Sequence, residues 1–130
     1  MKSYSFPKSE HLYGEKKIGR LFAEGSSFVV YPLRVVFLQV GGEDGVPVKV
    51  MVSVPKKRFK RAVKRNRLKR LMRESYRLNK HLLTEHCVQS GMQLNISFQY
   101  ISDEELDFDY IEKRMKKALG ILIEKNNTDV

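Results

Sequence analysis

The sequence of 130 residues has one cysteine, no tryptophan and no long apolar run. Because Cys87 has no second cysteine to pair with, an internal disulfide is excluded and a reducing compartment is expected. No run of about 18 apolar residues occurs, so no membrane-spanning helix is predicted. The N-terminal stretch MKSYSFPKSEHLYGEKK lacks the continuous apolar core of a secretory signal. We therefore expect a cytoplasmic protein, most simply one domain over residues 1–130, with about 1–8 and 126–130 flexible.

Recognisable catalytic signatures are missing as well. The sequence contains no Gly-rich phosphate loop, no G-x-S-x-G and no H-E-x-x-H. The acids that precede the last predicted helix fit helix capping and the helix dipole. His81, His86 and Cys87 lack the spacing of zinc ligands. We expect no catalytic residue, no metal site and no cofactor held by protein residues.

Positive charge is what the sequence has in excess, and one segment holds it. Between Lys56 and Arg77 there are twelve Lys or Arg and one acid, whereas the rest of the chain has 13 bases and 14 acids. A local excess of this kind predicts a polyanionic partner: nucleic acid, an anionic membrane or an acidic protein. A membrane-surface helix would have little else to pack on its apolar side. Here other segments supply that packing, so nucleic acid is favoured, with no membrane and no obligate protein partner.

The apolar pattern predicts an α+β fold in the order α-β-β-α-β-α, with an extra short strand near 28–30. A first helix is expected from about Ser9, as N-cap, to Glu24, and Gly25 ends it. Strands at 33–40 and 46–54 flank a Gly-rich turn, which makes an antiparallel hairpin the default. Residues 79–91 are interpreted as a helix extension and a loop, 92–100 as a half-buried strand, and 107–125 as the last helix. The result is a single small sheet packed with three helices.

The basic segment itself is predicted to be a helix with two distinct faces. One face carries the residues expected in the core: Leu68, Leu71, Met72, Ser75 and Tyr76. The opposite face carries a row of polar residues at spacings of 4, 3 and 4: Asn66, Arg70, Arg73 and Arg77. Lys64 and Arg65 project onto the core side, so we expect the first turn to overhang the core edge and leave both side chains free to turn outward. Such a protruding N-terminus also offers backbone N–H groups to phosphate.

RNA is favoured over DNA as the partner. The polar row lacks a second helix at helix-turn-helix spacing, and aromatic-bearing strands accompany it. This combination suits structured RNA together with a single-stranded segment. The plain alternative is a solvated face or a localisation tract. The core stripe of the helix and the continuation of charge into the preceding loop weigh against that alternative.

Several short motifs resemble the signature of the bacterial ribonuclease P protein subunit. They are Val52-Ser53-Val54-Pro55-Lys56-Lys57, Ala62-Val63, and Arg65-Asn66-Arg67-Leu68-Lys69-Arg70-Leu71 followed by Arg73-Glu74. Phe22-Ala23-Glu24-Gly25 at the end of the first helix and the order of elements match as well. The chain departs from the family pattern at Arg58–Arg61, where many members have a glycine, and at Ile18, where many carry an aromatic.

The resemblance implies a division of labour between protein and RNA. The family protein binds a catalytic RNA, and together they remove the 5′ leader of precursor tRNA by hydrolysing one phosphodiester bond. The RNA holds the catalytic Mg²⁺, and no protein residue supplies the chemistry. The implied fold includes a left-handed β-α-β crossover through the basic helix, against the usual hand.

The resemblance also implies two groups of site residues. Those expected to contact the catalytic RNA are Lys56, Lys57, Lys60, Arg61, Lys64, Arg65, Asn66, Arg67, Lys69, Arg70, Arg73 and Arg77. Those expected to line a leader-binding cleft between the first helix and the sheet are Ile18, Phe22, Arg34 and Phe37. Val36 is the other possibility for the last position. A structural or ribosome-associated RNA-binding protein without a role in cleavage is the alternative function.

Overall fold

The computed structural model describes residues 4–41 and 44–126. It contains four α-helices and one four-stranded sheet in these ranges, preceded by a short 3₁₀ turn at Lys8–Glu10. In chain order the elements are α1 (Glu15–Glu24), β1 (Ser26–Val30), β2 (Leu33–Val40), β3 (Val48–Ser53), α2 (Ala62–Asn79), α3 (His81–Ser90), β4 (Gln93–Tyr100) and α4 (Phe108–Lys125). The predicted α+β class and the extra strand are confirmed.

The sheet has the strand order β1-β2-β4-β3, so the predicted hairpin between β2 and β3 is wrong. β2 pairs antiparallel with both β1 and β4, whereas β3 pairs parallel with β4. The physical reason is β4, which is buried on both faces over residues 94–98 and therefore takes a central position. A Gly-rich turn favours a hairpin only when no better-covered strand competes for the same edge.

Parallel pairing of β3 with β4 makes the chain between them a β-α-β crossover. Pro55 closes β3, the chain then passes through α2 and α3, and it returns as β4 beside β3. Because parallel neighbours run in the same direction, the segments that follow β3 and β4 leave the sheet at the same end, beyond the carboxyl ends of both strands. The left hand of this crossover stays an implication of the family resemblance.

The sheet separates two apolar clusters of unequal size. The larger lies between the sheet and the helices α2, α3 and α4, and it includes Phe98, Tyr100, Met72, Tyr76 and Met115. The smaller lies on the other face beneath α1, where Leu21 and Leu12 pack on Val36. One face of the sheet is therefore covered by three helices, and the other by α1 with the segment before it.

Two glycines determine where α1 begins and how closely it approaches the sheet. The helix starts at Glu15 and not near Ser9, because Gly14 has φ of 105°, which residues with a β-carbon rarely adopt. Gly25 ends the helix as predicted, but in an extended conformation with φ of −73°. A β-carbon at Gly25 would collide with the Leu21 carbonyl and lie 2.9 Å from the Phe37 carbonyl oxygen. Glycine is needed here for close approach and not for a left-handed turn.

The region after α2 is a helix and not a loop. Residues 81–90 form α3, which ends at Gly91 in the left-handed conformation with φ of 66°. This adds a fourth helix to the three that were predicted. Leu83 and Cys87 face the main core, and burial raises the pKa of the Cys87 thiol to about 11. The protonated thiol is therefore the stable form of this buried side chain.

The segment before α1, whose first residues are predicted to be flexible, contacts α2 and β3. Phe6 stacks on His11 with ring centres 4.0 Å apart and contacts Tyr76 of α2 at 5.3 Å. The Leu12 amide donates to the Val50 carbonyl of β3 at 2.9 Å. Near the other end, Asn126 is buried and donates to the Leu122 carbonyl. The predicted flexibility of residues 1–3 and 127–130 lies outside the described residues.

Candidate nucleic-acid interface

The two faces of α2 are as predicted. Leu68, Met72, Ser75 and Tyr76 are buried, and Leu71 packs at the edge of the main core. Asn66, Arg70 and Arg73 are exposed on the opposite side. None of the three has a carboxylate within ion-pair distance among the described residues. The middle of α2 therefore presents an amide and two guanidinium groups to solvent.

The loop between β3 and α2 surrounds a buried aromatic side chain with exposed cations. Phe59 is buried, and its ring meets Tyr100 edge-on at 5.9 Å. This settles how the unusual segment Arg58–Arg61 is anchored: Phe59 belongs to the core. The exposed cations around it are Lys56, Lys57, Lys60 and Arg61. We call these four, together with Lys64, Asn66, Arg67, Lys69, Arg70 and Arg73, the basic surface.

Arg65 does not turn outward, contrary to the sequence prediction. Its Nη1 donates to the carbonyl oxygens of Phe59 at 2.7 Å and of Lys60 at 2.9 Å. These bonds tie the loop to the first turn of α2, which has no side-chain cap of its own. Lys64 does project outward, as do the exposed Ala62 and Val63, so the overhang of the first turn is confirmed. Arg65 positions the loop, while its neighbours face solvent.

The loop between β4 and α4 brings acids against the basic surface, and the sequence interpretation missed this contact. Asp103 pairs with Arg58 at 3.0 Å. Glu105 pairs with Lys64 and with Arg67, each at 3.3 Å. Only Asp107 caps α4, accepting from the Tyr110 amide at 2.9 Å. Parallel pairing of β3 and β4 is the cause, because it places the segments that follow the two strands at the same end of the sheet. The predicted hairpin between β2 and β3 did not bring these two segments together.

Arg77 at the far end of α2 is engaged within the protein. It pairs with Glu74 and donates to the Tyr4 carbonyl at 2.8 Å. The hydrogen bond between the two side chains lowers the pKa of Glu74 and raises that of Arg77. Of the predicted row on α2, Arg77 is therefore held, while Asn66, Arg70 and Arg73 have no such partner in the described ranges.

Three of the four predicted cleft residues lie where α1 packs on the sheet: two are on α1 itself and one is on β2. Ile18 is half-buried against Leu21 and Val36, and Phe22 is 47% exposed on the same helix. Arg34 is exposed on β2. Phe37, however, lies in the main core against Phe28 on the opposite face. Strand alternation is the reason, because Arg34 and Val36 share one face and Phe37 points to the other. The preference for Phe37 as the strand residue of the cleft is therefore wrong, and Val36 is the one on the α1 side.

Part of this face is left open beside α1. Opposite residues in the register place Ser53, Gln99, Arg34 and Val29 in one line across β3, β4, β2 and β1. We call this line the cleft row. Ser53 and Gln99 are half-buried, whereas Arg34 and Val29 are exposed. In the neighbouring line, Ser97 and Val36 are buried, and the Ser97 hydroxyl has no hydrogen-bond partner among the described residues.

The cleft row and the basic surface adjoin. Ser53 is two residues before Pro55, where the basic loop begins, and Gln99 lies four residues before Asp103. Hydroxyl and amide groups of the row can donate and accept hydrogen bonds with bases or sugars, and Arg34 adds one cation. An extended polyanion can therefore pass from a cation-rich helix onto a mostly neutral strand surface.

The described residues contain no group of three His, Cys, Asp or Glu side chains that could hold a metal ion. His86 contacts the Asn126 carbonyl oxygen at 3.0 Å, and Cys87 is buried in the core. None of the helices in the described ranges is both long and apolar enough to cross a membrane.

Comparison with known proteins agrees with the geometry. The ribonuclease P family model matches residues 6–123. The ribonuclease P protein component of Porphyromonas gingivalis is 51% identical over 118 residues, which cover 90% of this chain and 85% of that protein. That of Chlorobium phaeobacteroides is 37% identical over 105 residues, covering 75% and 72%.

Solved structures share the fold at low sequence identity. The ribonuclease P protein of Staphylococcus aureus superposes with a TM-score of 0.70 at 19% identity, covering 88% of this chain and 96% of that one. The protein from Thermotoga maritima gives a TM-score of 0.68 at 23% identity, covering 85% and 94%. With the family model spanning nearly the whole chain and a relative half identical to it, the chain belongs to the ribonuclease P protein component family.

Proposed function

We propose that this chain is the protein subunit of ribonuclease P and assists a catalytic RNA in removing the 5′ leader of precursor tRNA. The observation that carries the proposal is the basic surface, with Arg70 and Arg73 exposed beside an exposed Asn66, on a chain of this family. Guanidinium groups bind phosphate in a bidentate manner, and Asn66 can both donate and accept. The surface suits a crowded, structured RNA.

The proposed contribution of the basic surface is charge compensation. A folded catalytic RNA packs phosphates closely, and their repulsion must be offset by salt or by cations of the protein. Exposed Lys and Arg side chains on a rigid helix supply such cations at fixed positions. The Mg²⁺ that cleavage requires is held by the RNA in this proposal.

The proposed contribution of the cleft row is selection of precursor over product. A leader in extended form would lie along Ser53, Gln99 and Arg34, with Phe22 on α1 available for stacking. Mature tRNA has no leader and therefore makes none of these contacts. Contacts with the row would accordingly make precursor tRNA bind more tightly than mature tRNA, so the product dissociates more readily than the substrate.

Reconstitution with a bacterial ribonuclease P RNA at low Mg²⁺ tests the proposal. We expect the protein to increase the rate of precursor-tRNA cleavage, because its cations replace part of the required salt. A matched assay measures binding of precursor and mature tRNA to the assembled complex. Lack of any stimulation would overturn the proposal, and equal binding of both tRNAs would favour the structural or ribosome-associated alternative.

A further inference from the structure

Acidic side chains of the β4–α4 loop occupy part of the region that RNA is proposed to bind. Glu105 bridges Lys64 and Arg67, and Asp103 pairs with Arg58. The remaining cations of the basic surface have no such partner among the described residues. The region is thus divided into a self-paired part at the start of α2 and an unpaired part along its middle.

These carboxylates are not needed to shape their own loop. The Leu106 amide donates to the Tyr100 hydroxyl at 3.1 Å, and Tyr100 in turn donates to the Glu104 carbonyl. The Ser102 hydroxyl accepts from the Glu104 amide at 3.0 Å and from Tyr31 at 2.7 Å. Backbone and hydroxyl groups therefore fix the loop, and within the described part of the chain the carboxylates of Asp103 and Glu105 contact the cations opposite them.

The pairs are exposed enough for a phosphate to replace the carboxylate. The side chains of Asp103, Arg67 and Lys64 are 77%, 51% and 48% exposed, whereas those of their partners Arg58 and Glu105 are 28% and 29% exposed. Exposed pairs of this kind stabilise a protein only weakly, so a phosphate that arrives with other contacts can displace them. A polyanion that touches only these few cations gains little, because every phosphate that binds there displaces a carboxylate.

We propose that Asp103 and Glu105 are specificity-determining residues that compete with phosphate for cations at the start of α2 and in the preceding loop, and thereby suppress binding of unrelated RNA. The inference rests on the proposed function, since it assumes that the basic surface binds RNA. A structured RNA that engages the whole surface offsets the competition through its contacts with Arg70, Arg73 and the loop lysines. A short single strand cannot do so, and the acids lower its affinity most.

The test compares Glu105→Gln and Asp103→Asn with the matched control Glu104→Gln. Glu104 lies between the two acids and is exposed, and its carboxylate makes no ion pair in the described part of the chain, so the control removes the same charge from the same loop. The probes are a fluorescent oligouridylate and a bacterial ribonuclease P RNA, titrated by anisotropy at several salt concentrations.

We expect Glu105→Gln to bind oligouridylate about two- to fivefold more tightly, because it removes the carboxylate that pairs weakly with both Lys64 and Arg67. Its log–log salt slope should steepen by about 0.7 for each additional phosphate of the single strand that the protein neutralises. The increase in affinity for the ribonuclease P RNA should be smaller. The ratio of the affinity for ribonuclease P RNA to that for oligouridylate therefore falls. Asp103→Asn should act in the same direction and Glu104→Gln should change the ratio little.

Equal increases in affinity for Glu104→Gln and Glu105→Gln would overturn the inference, because net charge alone would then explain them. Unchanged oligouridylate binding, or an equal increase for both RNAs, would overturn it as well. Thermal unfolding of each variant checks that the loop change leaves the fold intact. Failure of the wild-type protein to stimulate cleavage would contradict the proposed function separately, since the oligouridylate comparison does not depend on cleavage.

Discussion

The basic surface and the cleft row adjoin but are built from different chemistry. The basic surface is a helix face and a loop that carry exposed Lys and Arg, whereas the cleft row has a single cation, Arg34, between a hydroxyl, an amide and a valine. A surface of the first kind binds through charge and loses affinity steeply with salt. A surface of the second kind binds mainly through hydrogen bonds and stacking. With one cation it neutralises few phosphates, so its affinity falls less with salt. Under the proposed function, the contrast implies that affinity for RNA and selection of the leader can be changed separately.

The largest effect is expected from replacing both Arg70 and Arg73 with Ala. Each replacement should weaken binding of the ribonuclease P RNA by about 1.5–3 kcal/mol if the side chain makes a charged hydrogen bond. The log–log salt slope should flatten by roughly 0.7–0.9 for each phosphate that the protein no longer neutralises. Lys113→Ala with Lys116→Ala on α4 is the matched control, because it removes two exposed cations from a helix outside the basic surface. If both double variants flatten the slope equally, the basic surface has no special role.

The next largest effect is expected on stability, at Gly25, where the end of α1 packs closely on the sheet beside the cleft row. Gly25→Ala should reduce the free energy of unfolding by about 1–3 kcal/mol, because the new β-carbon collides with the carbonyls of Leu21 and Phe37. Gly19→Ala in the same helix is the control. Gly19 has no atom within 4 Å of an added β-carbon, and alanine there should stabilise by about 0.5–1 kcal/mol.

Urea denaturation measures both changes, and the two variants should move in opposite directions. Gly25→Ala should also impair leader binding more than binding of the ribonuclease P RNA, because α1 borders the cleft row and not the basic surface. A stabilising Gly25→Ala would contradict the close approach of α1 to the sheet.

The third effect, expected at Phe22, is no larger than that of Gly25→Ala. Phe22→Ala should weaken binding of precursor tRNA by roughly 1–3 kcal/mol if a leader base stacks on the ring. Stability should change little, because the side chain is about half exposed. Tyr110→Ala on α4 serves as the exposed aromatic control. A salt slope altered as much as by the arginine variants would remove the distinction between the two regions.

The smallest effect is expected at the end of α2, where Glu74 pairs with Arg77. The hydrogen bond lowers the pKa of Glu74, so the stability it contributes is fully present above the ordinary glutamate pKa of about 4.5 and is lost as pH falls through the lowered value. Glu74→Gln should therefore reduce stability slightly at pH 7, and the difference should vanish in more acidic solution. Thermal unfolding across pH 2–7 would show it, and a pH-independent difference would contradict an ionic origin.

Local pattern was sufficient for the helices and insufficient for the contacts between distant segments. The burial of Leu68, Met72 and Tyr76 follows from helical periodicity within one element, so the sequence predicts it. The ion pairs of Glu105 depend on β3 and β4 being parallel neighbours, and the chain that decides this lies some forty residues downstream of β3. No local signal contains that information.

The same limit explains the errors at Phe37 and Arg65. Alternation shows that Val36 and Phe37 face opposite ways, but only the position of α1 shows which face is the cleft side. A helical projection places Arg65 toward the core side, yet its bonds to Phe59 and Lys60 require the fold of the preceding loop. Motif resemblance located the candidate interface, while the side chains that shape it had to be found in the structure.

The short segment at His11 and Leu12 has a consequence for the protein before it meets RNA. It bridges to Val50 and bonds the middle of β3, which is otherwise an outer strand of the sheet. An uninterrupted outer strand is a template on which another copy of a chain can add its own strand. Occupation of Val50 breaks that row of backbone groups in the middle. The segment therefore opposes self-association through this edge, without any contribution from charge.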